Sequence, residues 1–256
     1  MSPAARPASL RKISNAFLHV SKPTWWLESR FHFSFADYYN PKNTNFGVLR
    51  VLNDDLVKGH AGFGTHSHRD AEIFSYILDG NLMHADSMGN KESLPRGAVQ
   101  YLSAGSGIRH SEMNDWDETT RFLQIWITPD QRGHKPQYGS RVHAHEDRHN
   151  RLLHLLGGTG IPLAWNNVHS VGQPISLHQD VNVYVSENDP NVAQEIALGE
   201  GRQAYLVAIE GSLDVNGTSL EQRDAVELVA GSQQMPVTLT SGNIGSHFML
   251  IEMVAA

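Results

Sequence analysis

Cysteine is absent from all 256 residues. No disulfide framework can form, and thiolate catalysis and cysteine-ligated zinc or iron–sulfur sites are excluded. That absence fits a reducing compartment, so the expected location is the cytoplasm, or the nucleus if the source is eukaryotic. No apolar run approaches 18 residues, so no membrane span is expected. A basic excess is also lacking: 20 Lys and Arg stand against 27 Asp and Glu, a net charge of −7. A general nucleic-acid binder needs a basic face, so nucleic acid is not expected as a partner. The first 22 residues carry Arg6, Arg11, Lys12 and Lys22 and no acid. This faintly transit-peptide-like bias comes without an amphipathic face, and the segment reads as a short disordered lead into the first strand. Helical periodicity is scarce throughout.

What is present is β pattern. Apolar residues make up 40% of the chain, enough for a core in one large domain or two small ones. Phe31, Phe33 and Phe35 alternate with His32 and Ser34, a half-buried strand whose rings read as core rather than as the wall of an aromatic pocket. Phe46 to Leu52 reads as a strand ended by Asn53-Asp54-Asp55. Further strands are expected over Ile73 to Leu78, Leu82 to Asp86 and Phe122 to Thr128. Turn signals fall at Asp79-Gly80, Met88-Gly89-Asn90 and Pro95-Arg96-Gly97. Many short strands with glycine-rich turns predict a sandwich or barrel. From Pro129 to His149 the composition turns polar and reads as a connection between domains. Beyond it, Ala208-Ile209-Glu210-Gly211-Ser212-Leu213 echoes Leu78-Asp79-Gly80-Asn81-Leu82. A repeat of this length predicts two copies of one fold.

With 15 His in the chain, a His-x-His is expected by chance about once. His143-Ala144-His145, in the polar connection, reads as that chance pair on a solvated linker. His66-Ser67-His68 has a richer setting. Gly62 and Gly64 precede it, Glu72 follows, and Pro95-x-Gly97 leads on to His110 and Asn114. Residues two apart on a strand share a face. His66 and His68 therefore look one way, as do His110 and Glu112, and Glu72 keeps the parity of His68. Three imidazoles and a carboxylate suit a divalent transition metal with positions left open. Parity leaves both Glu72 and Glu112 as the carboxylate. His84 and Asn114 are lesser candidates, and His84 reads as an unligated histidine. The second copy has no His between Gln194 and Gln203, so it is expected to lack the site.

The order Gly…His-x-His-x3-Glu…Gly, then Pro-x-Gly…His-x3-Asn, resembles the two motifs of the cupin superfamily. Five stretches resemble one of its families, the pirins. They are Phe33 to Tyr39, Arg50 to Asp55, Gly62 to His68, Asp86 to Asn90 and Ser103 to Glu112, dense in the first half of the chain and loose in the second. The resemblance implies an all-β bicupin, two consecutive cupin domains, each a jelly-roll β-barrel. A metal-binding domain is expected over 1–135, a linker over 136–150 and a metal-free domain over 151–256. It places the metal on His66, His68, His110 and Glu112. Glu72 then sits next to the ligands, orienting them, or on the barrel wall, or serves as an alternative ligand. This donor set suits iron, with manganese, cobalt, nickel, copper and zinc also able to bind. The activity implied is that of a quercetin 2,3-dioxygenase, acting on a flavonol and O2 with release of carbon monoxide, Glu112 taking the proton of the substrate hydroxyl. A rival implication is an iron-binding, redox-sensing transcriptional cofactor without turnover, for which Arg109 and Arg121 are the nearest basic residues. An isomerase on the same fold is a third reading. Two cupin copies packed on each other would be self-sufficient as a monomer.

Overall fold

The structure is a computed structural model that describes residues 7–158, 164–165 and 167–255. Strand dominates, and the longest α-helix among these residues is His145–Arg148. No helix there is long and apolar enough to cross a membrane. The chain forms two cupin domains, visible as two compact units. One runs from Leu18 to His143 and includes Leu177–Gln179; the other takes the stretch ending at Phe17, then Ala144–Ser176 and Asp180 to the end.

The first unit is built from two sheets. The larger orders its seven strands as Gln137–Val142, Ala98–Ser103, Glu72–Asp79, Thr120–Ile127, Leu49–Val57, Leu27–Phe31 and His19–Ser21. The smaller orders Ala61–His68, Ile108–Asn114, Asn81–Asp86 and Lys91–Pro95. All these pairings are antiparallel. Ile77, Leu82, Leu94 and Phe122 pack together between the sheets, and Ile73, Leu102, Ala104 and Ile108 form a second cluster. Fully burying a Leu, Ile or Phe side chain stabilises by roughly 1.5–3 kcal/mol. Gly80 makes the tight turn between Glu72–Asp79 and Asn81–Asp86 at φ +70°, where a Cβ would come within 2.7 Å of Thr120 Oγ1.

Two expectations need correction here. Asn53-Asp54-Asp55 does not end a strand but lies inside Leu49–Val57, all three residues buried. Tertiary partners override their poor strand propensity: Arg121 grips Asp54 at 2.9 and 2.7 Å, and the Ser29 hydroxyl donates to Asp55 Oδ1. The polar stretch after Pro136 is also not all connection. Gln137–Val142 pairs with Ala98–Ser103 as a sheet-edge strand, and His143 is buried rather than solvated.

The second unit is one nine-stranded sheet whose long strands, Arg202–Val215 and Met235–Val254, pair along most of their length. Their register shifts at Ala208/Glu210 and Gly211/Leu213, the kind of irregularity that lets a strand bend round a core. Gly211 has φ +70°, the same backbone state as Gly80. Leu206, Val226, Leu228, Phe248 and Leu250 fill the interior together with Trp165 and Tyr184. Ser9–Ile13, expected as part of a disordered lead, pairs with Ala225–Val229 at the edge of this sheet. Arg6 lies outside the described residues.

Candidate metal centre

Strand pairing puts the histidines together. Ala61–His68 runs beside Ile108–Asn114 with His66 directly opposite His110. Past this pair the register shifts, so that Glu112 faces Phe63. His66, His68 and His110 present ring nitrogens that all lie within 4.8 Å of one another. Their ring centroids are 4.5 to 4.8 Å apart. No other group of this kind occurs among the described residues.

The protonation states suit ligation. His66 Nδ1 lies 2.8 Å from the Gly64 carbonyl, so Nδ1 donates to it and Nε2 is the nitrogen turned toward His110. Nε2 of His66 and of His110 are 3.1 Å apart. Two cis nitrogens bound at about 2.1 Å to one ion would stand roughly 3–3.4 Å apart, so the pair is already spaced for a shared metal. Burial, reinforced by the neighbouring imidazoles, lowers His110 to about 3 and His68 to about 4. Both rings are thus neutral at physiological pH, the ligating form. Three convergent imidazole nitrogens, on one buried and two half-buried rings, fit a divalent transition metal.

Glu112 is 2% exposed and lines the same cavity as His66 and His68. Its Oε1 accepts from Ser75 at 2.8 Å and from Gln100 Nε2 at 3.0 Å; its Oε2 accepts from Gln124 Nε2 at 2.7 Å. All three donors stand on the facing, seven-stranded sheet. They fix the carboxylate and leave Oε2 with lone-pair capacity to spare. The cavity measures about 200 Å³, and Phe35, Phe63 and Trp126 supply its aromatic wall. Phe35, read with Phe31 and Phe33 as core, is part of that wall, whereas Phe31 and Phe33 are buried in the core at 4% and 1% exposure.

This chain belongs to the pirin family. Residues 12–127 match the pirin family itself, and residues 170–253 match the quercetinase C-terminal cupin domain. A Pseudomonas aeruginosa protein provisionally named a quercetin 2,3-dioxygenase is 42% identical over 201 residues, 78% of this chain and 83% of its own. The quercetin 2,3-dioxygenase of Escherichia coli K12 is 35% identical over 207 residues, 79% of this chain and 83% of its own. The bacterial pirin YhhW of Escherichia coli, solved in complex with nickel(II), has a TM-score of 0.83 at 30% identity, covering 97% of this chain and all of that one.

Glu72 stands elsewhere in this pirin. It opens strand Glu72–Asp79 three residues before Ser75, which reaches Glu112, so the two side chains leave opposite faces. Its carboxylate is fully buried; it accepts from the Tyr101 hydroxyl, from Ser103 Oγ at 2.7 Å and from the His178 amide at 3.0 Å. The parity count fails because the chain bends at Asp70, at φ +50°, and passes from the smaller sheet to the larger. His84 is buried outside the three-histidine group, stacked on Tyr138 at 4.3 Å with Nε2 3.0 Å from Asp86. Asn114 spends its amide on the carbonyls of Val57 and Glu118 and its Oδ1 on the Trp116 amide. The sequence reading missed Ser75, Gln100, Gln124, Phe63 and Trp126. The interior parity of Gln100 and Gln124 inside apolar strands was the available signal.

Proposed function

We propose that this pirin is a metal-dependent dioxygenase that cleaves flavonols such as quercetin with O2, releasing carbon monoxide and a depside. One observation carries the reading: the imidazoles of His66, His68 and His110 converge beside an aromatic-walled cavity that Glu112 also lines. His66, His68, His110 and Glu112 would hold the metal, iron being the choice their donor set suits best. When bound, the ion supplies Lewis acidity toward the substrate oxygens. Phe35, Phe63 and Trp126 would sandwich the planar rings and exclude water. Glu112 Oε2, with only Gln124 donating to it, would take the proton of the 3-hydroxyl. Ser75, Gln100 and Gln124 would hold that carboxylate still while the proton moves. Glu72, bonded on the far side of its strand, takes no step.

The regulatory alternative keeps one of its two basic residues: Arg121 is buried against Asp54, while Arg109 is exposed near His68. The test is metal analysis joined to oxygen-electrode assays with quercetin, on the purified protein and on Glu112→Ala. Stoichiometric metal and O2 uptake that is lost in Glu112→Ala support the proposal. Full metal occupancy without O2 uptake by the unsubstituted protein would refute it.

A further inference from the structure

Facing the histidines, on strand Leu49–Val57, stand two polar residues that the proposed chemistry leaves unused. Asn53 and Asp55 are two apart, so they share a face, and both line the cavity. They are 2% and 3% exposed. Asn53 is the cross-strand partner of Gln124, the residue that donates to Glu112. Its Oδ1 is buried without a hydrogen-bond partner. The Asp55 carboxyl takes the Ser29 hydroxyl on Oδ1, and among the described residues no donor meets Oδ2. Burial pushes this carboxyl up to about 7, so in its protonated form it is a donor as well as an acceptor. A buried acceptor left unsatisfied costs stability, and Asn and Asp are poor strand formers. Keeping both in the wall of this cavity, beside Phe35, Phe63 and Trp126, calls for an occupant that bonds to them.

We infer that Asn53 and Asp55 form a second recognition point, which hydrogen-bonds a hydroxyl carried by the aromatic substrate apart from the oxygens it presents to the metal residues. The inference rests on the reading of this cavity as an aromatic-substrate site and deepens it: the preferred substrates are polyhydroxylated ring systems. At about 200 Å³ the cavity is smaller than the usual ligand pocket. Part of a three-ring flavonol stays at the mouth, and the hydroxyl that is read belongs to a ring that enters.

The experiment is equilibrium binding to the zinc-loaded protein without O2, followed by quenching of tryptophan fluorescence, since Trp126 lines the cavity. The probes are 3-hydroxyflavone, which has no further hydroxyl, and galangin and quercetin, which add them. Galangin or quercetin is expected to bind about tenfold more tightly than 3-hydroxyflavone, the worth of one hydrogen bond to a buried group. Asn53→Leu and Asp55→Leu should bring the ratio, taken within each variant, down to about two. Asp55→Asn, which keeps a donor and an acceptor, should retain most of it. Circular dichroism and zinc content identify any variant that fails to fold, and the ratio in the unsubstituted protein is a test needing no variant. A ratio near one there, a ratio unchanged in both leucine variants, or no binding by any probe overturns the inference. Discrimination without O2 consumption by the iron-loaded protein would sink the dioxygenase reading alone; O2 consumption without discrimination would sink only this one.

Discussion

Replacing Gln124 by Met tests whether the hydrogen bonds on Glu112 serve the metal. Gln124 Nε2 is the donor to Oε2, at 2.7 Å, while Ser75 and Gln100 both serve Oε1. Methionine matches glutamine in length but offers no donor. The carboxylate would then keep its Oε1 anchors and lose the bond that stops Oε2 from swinging. A hydrogen bond to a charged group contributes about 1.5–3 kcal/mol. Loss of a partner that orients a metal ligand typically costs 10–100-fold in affinity, or about 1.4–2.7 kcal/mol, so the two scales agree. Competition against a chromophoric chelator with Ni(II) should therefore show Gln124→Met binding roughly 10–100-fold more weakly, with Glu112→Ala weaker still. Ser75→Ala, whose oxygen keeps Gln100, should fall by less than about tenfold. If Gln124→Met binds within a factor of about two while Glu112→Ala loses the metal, the orienting role is refuted. If Glu112→Ala also binds normally, Glu112 is not a ligand and the three histidines suffice.

Other outcomes follow from the same wall of the cavity and its surroundings. Because burial raises Asp55 to about 7, the folded protein holds a proton there that the unfolded chain has already released above pH 4 or so. The stability this provides is complete at low pH and is lost as pH rises through about 7. In urea unfolding, Asp55→Asn should therefore gain roughly 2–3 kcal/mol on the unsubstituted protein between pH 5 and pH 8; an equal gap at both would refute it. Arg121→Met strands the buried carboxylate of Asp54 and should cost about 3–5 kcal/mol, much of it recovered when Asp54→Leu is added; no recovery in the double variant would show the pair is not the cause. Gly80→Ala places a Cβ at φ +70° against Thr120 and should destabilise by about 1–3 kcal/mol in thermal unfolding, an unchanged midpoint counting against a strained turn.

The fold was legible because its signals are local and repeated. Gly80, Gly89 and Gly97 all take positive φ in the turns where they were expected, and the apolar run Ile73 to Leu78 is a buried strand. The echo between Gly80 and Gly211 marks the same backbone state in both units. What stayed hidden depends on distant partners. Asn53-Asp54-Asp55 looks like a turn until Arg121 and Ser29, 67 and 26 residues away, are seen to satisfy two of its side chains. Gln100 and Gln124 look like incidental polar positions until Glu112 is placed between them.

The two glutamates show why spacing alone could not choose the carboxylate. Alternation is a property of one continuous strand. His110 and Glu112 lie on such a strand, Ile108–Asn114, and both face the interior. Between His68 and Glu72 the chain makes a bend whose Asp70 has positive φ, and it re-enters a different sheet. After a change of sheet, the face toward the core is decided by which neighbours the new strand finds, and a count carried from the old strand is void. Here Glu72 finds Tyr101, Ser103 and the His178 amide, which give its carboxylate a complete set of partners away from the histidines. Glu112 is satisfied too, but by donors reaching across the interior, and the residue lines the cavity. The difference that matters chemically is therefore where each buried carboxylate stands: of the two, Glu112 lines the cavity with His66 and His68, although it falls outside the group of three close ring nitrogens.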